Sequence, residues 1–401
     1  MQEIQDKITA GATPILDSAI RRKKPRRKRF GATLVGVLVG LIFASVMITA
    51  AIIPNAGKNA AVDPVPLVFA AALVLAVVIH EGGHLLAGWF TGFEFSSVQI
   101  GPFSLNIEYG LLKVRMRKQM PAAGYAGMQI AGVRRLRHRL LIFIAGGPVA
   151  NLLSFLGCAL FFVFLQRPFN GRLASAAFQF GAISLVLGLT NFLPFTTASG
   201  MSTDGKLILI ILRGGVEARR WLCAFASGSQ LLKGVRPRNL NRNWLKMACS
   251  TRSETIYDFS GNWLSYMAAN DRKDVPVAAF HLERSIELID LLGKPTQQVV
   301  ALEAAVFTAW FRHDVELAQK WLRQITVLKE IPMLSRIRGD VAMSCARKEY
   351  ENALVDWQKG FAFIEKLPAS PRNQRLRDGW MEWKDEIVER QNSSALNQVL
   401  S

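Results

Sequence analysis

The sequence predicts a multi-span α-helical membrane protein with a small membrane-associated β-hairpin region and an all-α C-terminal domain. Three observations carry this prediction. Long apolar runs recur through the first half of the chain and stop near Val216, where charged residues become frequent. Lys and Arg concentrate on alternate sides of those runs, which is the signature of oriented membrane spans. Half of the 401 residues are hydrophobic and the mean hydropathy is +0.20, high for a fully soluble protein.

The chain opens with a basic tail, residues 1–29. Its run Arg21-Arg22-Lys23-Lys24-Pro25-Arg26-Arg27-Lys28-Arg29 accounts for much of the net charge of +19. Such a run could bind nucleic acid. Placed against an apolar stretch at about 30–53, it reads better as a cytoplasmic anchor touching anionic lipid headgroups, with no nucleic acid as partner. The stretch is too long, and its basic flank too far from the N-terminus, for a typical cleavable signal peptide. Four cysteines without close pairing imply neither a disulfide framework nor a Cys-type zinc site, and they suit a reducing compartment.

The second span, at about 66–90, contains Val78-Ile79-His80-Glu81-Gly82-Gly83-His84-Leu85-Leu86. On a helix His80 and His84 are one turn apart and share a face. Two imidazoles so placed can bind one zinc ion, and Glu81 is then positioned as general base on a metal-bound water. The setting sharpens the signal. A charge in hydrocarbon costs roughly 2.5–3.5 kcal/mol on insertion scales, so ionisable residues inside a span usually have a function. Three occur here within five residues. The plainer alternative is a helix end whose polar residues reach the interface.

Residues 94–118 alternate in a strand-like way through Phe95, Val98, Ile100, Phe103, Leu105, Ile107, Leu112, Val114 and Met116. Gly101-Pro102 and Tyr109-Gly110 punctuate them as turns, which gives short β-hairpins at the membrane surface beside the metal site. Residues 113–139 are rich in Lys and Arg, whereas the loops near 55–63 and 166–172 carry few charges. The N-terminus, the 94–139 loop and the C-terminus are therefore expected in the cytoplasm, with His80, Glu81 and His84 near the cytoplasmic end of their span.

The third span is expected at about 140–165 and the fourth at about 174–193, closing a four-span domain over 30–215. Gly147-Pro148-Val149-Ala150-Asn151 interrupts the third. Asn151 could donate to a substrate carbonyl or a developing oxyanion, or make an interhelical hydrogen bond. A catalytic zinc usually has three protein ligands. Asp204, in a Gly- and Ser-rich break after the fourth span, is a plausible third, and it also reads as the N-cap of a helix starting at Gly205. Glu94, Glu108 and His138 are the other acidic or His residues near that face.

From about 216 to 401 the chain reads as a cytoplasmic helical domain, with helical periodicity at 275–290, 298–312, 315–328, 336–347, 350–366 and 375–390. Asp314-Val315-Glu316-Leu317-Ala318 is echoed by Glu349-Tyr350-Glu351-Asn352-Ala353, and more faintly by Asp274-Val275-Pro276-Val277-Ala278. Helix pairs near that period resemble tetratricopeptide repeats, although the period is irregular; a plain helical bundle is the alternative. A domain of this kind suits a protein partner.

Taken together, His80-Glu81-x-x-His84, Gly147-Pro148-x-x-Asn151 and Asn191-x-x-Pro194 followed by Asp204-Gly205 resemble the site-2 protease family of intramembrane zinc metalloproteases. Thr91-Gly92-Phe93-Glu94 through Ile100-Gly101-Pro102, and Pro121-x-x-Gly124-Tyr125, are similar to the hairpin region that follows the zinc motif in that family. The resemblance covers roughly 66–213. One departure is that nine residues separate Pro194 from Asp204, more than in the commoner family form. No segment reads as a PDZ domain.

The resemblance implies an integral, multi-pass protein, of the prokaryotic cytoplasmic membrane, that cleaves transmembrane segments of other membrane proteins near the cytoplasmic face. It implies zinc held by His80, His84 and Asp204, Glu81 as the catalytic base, and Asn151 and Asn191 facing substrate. The expected substrate is a single-span protein, which must unwind and add as a strand to an exposed edge, placed here in the 95–117 hairpins. Two rivals stay open. One is a catalytically inactive membrane scaffold working through its C-terminal helical domain, against which the intact Glu81 argues. The other is a metal transporter, which would distribute acidic or His residues over several spans; the first and third spans have none.

Overall fold

The computed structural model describes residues 65–116, 124–165, 171–196, 202–326 and 331–400. The basic tail and the first expected span lie outside the described residues. The chain is mostly helical with one small antiparallel sheet, and it parts into two compact units between Ala218 and Arg219.

In the first unit, α1 (Val65–Phe90), α2 (Leu136–Leu165) and α3 (Gly171–Phe192) pack against one another. Among the described residues, Leu67–Phe90 and Leu136–Phe164 are long and apolar enough to cross a membrane; α3 contributes a shorter apolar stretch, Ala176–Phe192. Ala72 and Ala76 of α1 and Ile183 of α3 form a buried seam. The crossing of α1 and α2 depends on glycine. A Cβ on either Gly83 or Gly146 would strike the other's carbonyl oxygen, so the two backbones touch. Small residues at a helix crossing allow such close approach of the backbones.

The sheet follows α1: β1 (Phe93–Ile100), β2 (Phe103–Glu108), β3 (Leu111–Met116) and β4 (Gly124–Ile130), in the order β3-β2-β1-β4. The expected turns are present. Gly101 has φ +53°, and Tyr109 and Gly110 have φ +54° and +80°, as a two-residue turn with both central residues left-handed requires. Strand β4 lies beyond the alternating stretch and begins at the Gly124-Tyr125 that the resemblance placed in the hairpin region. Gly124 and Gly127 break its alternation, yet it pairs antiparallel with β1 from Phe93 opposite Ile130 to Ile100 opposite Gly124, with an irregularity between Phe95 and Ser97. The reason for Gly127 is local: a Cβ there would collide with Ser97 Oγ.

Arg139, near the start of α2, ties this sheet to the end of α1. It donates to the carbonyls of Thr91, Gly92 and Gly132 at 2.6–2.7 Å and stacks over Phe93. A cation is thereby held just past the C-terminus of α1, a favourable pairing with the helix dipole. The unit closes with α4 (Asp204–Arg213).

The second unit contains α5 (Gly215–Leu232), which begins just before the boundary, then α6 (Arg242–Ala248), α7 (Ile256–Asp271), α8 (Val275–Glu287), α9 (Lys294–Arg312), α10 (Val315–Leu322), α11 (Met333–Ala346), α12 (Tyr350–Glu365) and α13 (Pro371–Leu400). Helices α7 and α8, α9 and α10, and α11 and α12 form successive pairs. The echo in the sequence marks the turn of each pair. Lys273, His313 and Lys348 take φ of +60°, +54° and +64°. An acidic residue follows each, and Asp274 and Asp314 cap the next helix with their side chains. Four residues further on, Ala278, Ala318 and Ala353 are each wholly buried where the two helices meet.

Candidate metal centre

His80 and His84 lie on α1 two turns before its end, and both are buried. Asp204 is the first residue of α4. The nine residues between Pro194 and Asp204 do not displace it, because the chain folds back on itself. Thr196 bridges Ser202, the Thr203 N–H donates to the Phe195 carbonyl, and the Phe195 N–H donates to Thr203 Oγ1, so the two ends of the insert meet. Thr203 donates its hydroxyl to the Leu193 carbonyl at 2.6 Å and accepts the Lys206 N–H, making it the N-cap of α4. Asp204 is therefore not the cap, and its carboxylate is left for another use. Gly205 permits the approach: a Cβ there would overlap the Phe192 backbone.

The three side chains converge. His80 Nε2 is 3.2 Å from Asp204 Oδ2 and 3.2 Å from His84 Nε2, and His84 Nε2 is 3.5 Å from Asp204 Oδ2. Two imidazoles and a carboxylate bound tetrahedrally at ~2.0–2.2 Å would have donor atoms ~3.4 Å apart, so the set fits a zinc ion in both chemistry and spacing. One further observation supports the fit. Gly147 of α2 faces the two imidazoles, and a Cβ there would fall 2.8 Å from His80 Nε2 and closer still to His84 Nε2. The absence of a side chain keeps the space at the donor atoms open.

The outer ends of both rings are held. His84 Nδ1 lies 2.8 Å from the Phe143 carbonyl of α2. His80 Nδ1 lies 3.2 Å from the amide nitrogen of Asn151, which is wholly buried. Partners on the second ring nitrogen orient a metal-binding histidine and set its tautomer. Asn151 thus makes the interhelical contact that was one of its two readings. Asn191 donates to the Leu187 carbonyl one turn back on its own helix, and no contact brings it to the cluster.

Glu81 is buried and lies within electrostatic reach of His84 and Asp204. It packs against Gly124, the first residue of β4, where a Cβ would fall 2.8 Å from the Glu81 Cδ. Strands β3 and β4 are the two edges of the sheet, and the edge that reaches Glu81 is β4 rather than the 95–117 hairpins. The other acidic residues considered as ligands are engaged elsewhere: Glu94 accepts from Gln129, and Glu108 pairs with Arg115 at 2.6 Å and Lys113 at 3.3 Å. Among the described residues His80, His84 and Asp204 form the one group with metal-ligand spacing. Comparison with protein-family models, with curated proteins and with solved structures returned no match to this chain.

Sequence reasoning missed three contributors: Gly147 as the residue that clears the donor atoms, β4 as the strand beside Glu81, and Arg139 as the clamp below α1. The glycines of β4 hid its alternation. Nothing in the local pattern signals a long-range clamp such as Arg139.

Proposed function

We propose that this chain is an intramembrane zinc metalloprotease of the site-2 protease type, cleaving transmembrane segments of other membrane proteins near the cytoplasmic face. The observation that carries the reading is the convergence of His80, His84 and Asp204 at zinc-ligand spacing, beside a buried glutamate, on an apolar helix long enough to cross a bilayer. Bound at that triad, zinc would supply a Lewis acid to a water molecule and to the scissile carbonyl.

The remaining chemistry belongs to the chain. Glu81 takes a proton from the attacking water on its carboxylate and returns it to the nitrogen of the leaving amine. Burial of Glu81 keeps bulk water from competing for that proton. β4 is an edge strand of the sheet, and strand addition there would run an unwound substrate segment past Glu81. An intact helix hides its peptide bonds, so unwinding must precede cutting. The membrane reading takes α1 to α3 and the expected stretch at 30–53 as four spans, with both termini cytoplasmic by the basic bias of the loops. In the cytoplasmic unit, the paired helices with their repeated left-handed turns support a tetratricopeptide-like module that would recruit a substrate or regulator.

The test is a comparison of membrane proteomes from cells with and without the chain. Single-span proteins should accumulate uncut where it is missing. The purified chain should then cut such a protein in detergent, stop on addition of a chelator, and recover with zinc. If zinc-loaded protein cuts none of the candidates, the scaffold reading takes over.

Ligand assignment is tested separately. Asp204→Asn should weaken zinc binding, because a neutral amide is a poor donor to a divalent cation, while Glu94→Gln and Glu108→Gln should leave it unchanged. Metal content of the three purified variants measures this. Full zinc in Asp204→Asn would place the third ligand elsewhere.

A further inference from the structure

We infer that the second unit carries a binding site for a carboxylate borne on a bulky apolar group, built from one edge of the Arg375 guanidinium and the cavity that it lines. This rests on the reading of the helical unit as a recognition module, and on nothing at the metal centre.

A cavity of about 350 Å³ opens between α13 and the ends of α7, α9 and α11. That volume is at the small end of ligand pockets, ~300–1,000 Å³, and suits one residue or a small molecule rather than a second helix. Its walls are apolar and largely aromatic: Trp310, Phe311, Trp383, Leu334 and Leu376. Trp310 and Trp383 meet with ring centroids 5.2 Å apart, so each fixes the other. Gly379 of α13 also lines the cavity. Glycine is the poorest residue for a helix interior after proline. No protein atom demands it here, since a Cβ at 379 would meet only Arg236 Nη2, at an ordinary 3.7 Å. The missing side chain leaves room in the cavity instead.

Among the described residues the charges at the cavity are paired with one exception. Arg236 holds Asp271 at 2.9 Å and Glu382 at 2.5 Å, Lys273 holds Glu386 at 2.6 Å, and Arg338 holds Glu303. Arg375 has no acidic partner among them. Its Nη1 donates to the carbonyls of Leu231 and Val235, both at 2.8 Å. That engages one nitrogen of a planar fork with five N–H groups. Nε and Nη2, on the other edge, have no partner among the described residues, and neither atom is sealed in protein. Two parallel N–H groups on one edge of a guanidinium match the two oxygens of a carboxylate. Burial, with Arg372 and Arg236 nearby, pulls the Arg375 pKa below its ordinary value, and Asp271 does not offset them. An arriving anion relieves that repulsion. Asp271, Glu382 and Glu386 on the same walls disfavour a dianion such as a phosphate. A single carboxylate beside an apolar group satisfies both the cation and the aromatic walls.

The test is titration calorimetry on the full-length chain in detergent with N-acetylphenylalanine and its amide, which differ only in the carboxylate. The acid should bind saturably and the amide at least about 10-fold more weakly, as expected for loss of a charge-assisted hydrogen bond. Arg375→Gln should lower the affinity for the acid to that for the amide. Gly379→Leu fills the cavity with a better helix former and should weaken both probes by at least about 10-fold. A short peptide ending in phenylalanine and free phenylpropionate separate the sources of the carboxylate. Tighter binding of the peptide means that a chain end is recognised; equal or tighter binding of phenylpropionate means a small free acid. Equal affinity for acid and amide, native affinity in Gly379→Leu, or no saturable binding of the acid at millimolar concentration would overturn the inference. Should Arg375→Gln lose its helical circular dichroism, the comparison of acid and amide on the native chain decides. Zinc content read in the same samples keeps the two questions apart. Failure of the probes to bind leaves the metal reading standing, and a native chain without zinc leaves the cavity standing.

Discussion

Glu81→Gln is expected to retain its zinc and lose at least about 10²-fold in cleavage rate, the scale of a lost general base. The amide is nearly the same size as the carboxylate it replaces, and none of the three donor atoms belongs to Glu81. Metal content should therefore be native. What disappears is the only function the buried carboxylate has in the proposed reaction. An amide cannot take a proton from water near neutral pH, nor hand one to the leaving nitrogen. The packing of Glu81 against Gly124 makes the replacement informative about geometry as well. Because glutamine keeps that packing, the loss should fall on turnover and leave substrate affinity unchanged. The measurement is single-turnover cleavage of a single-span protein, with zinc quantified in the same sample. Native turnover in a zinc-loaded Glu81→Gln protein would remove Glu81 from the mechanism.

Much of the first unit was legible because its signals are periodic. Histidines four residues apart share one face of any helix, so their convergence needs no tertiary information. The strands β1 to β3 followed from alternation and from turn residues that tolerate positive φ. Asp204 could be proposed from its residue type and its Gly-rich approach, but its place required the fold. The long insert separates it from Pro194 in sequence; in the structure a bridge between Thr196 and Ser202 brings the two ends of the insert together. In the second unit, α5, α6 and α7 were not foreseen. Helix α7 shows why, since its buried face carries Asp258, Asn262 and Ser265 beside its apolar residues. Asp258 is met there by Arg284 at 2.6 Å and Arg220 at 3.5 Å. A buried polar network whose charge is balanced by cations distant in the chain reads in sequence as a solvated face.

Gly147→Ala is expected to abolish zinc binding while the chain still folds. The argument is steric and specific. The added methyl would fall 2.8 Å from His80 Nε2 and nearer to His84 Nε2, on the atoms that donate to the metal. Neither party can retreat. The α1 and α2 backbones already touch at Gly83 and Gly146, so α2 is fixed one residue away from the new methyl. The imidazoles are anchored behind by Phe143 and Asn151. The rings must turn off their partners or the methyl must fill the metal's place, and either outcome removes the site. Loss of an outer-shell partner alone weakens a metal by about 10–100-fold; obstruction of the donor atoms should exceed that, giving at least about 10²-fold. Gly157→Ala on the same helix is the control, because a Cβ there meets nothing within 4 Å. Its zinc should be native, and its helix slightly favoured, since alanine is the better helix former. Elemental analysis of the native, Gly147→Ala and Gly157→Ala proteins after dialysis against zinc measures the effect. A full equivalent of zinc in Gly147→Ala would mean that the metal, if bound, sits on the far side of the imidazoles from α2, and the triad geometry described for His80, His84 and Asp204 could not be its site.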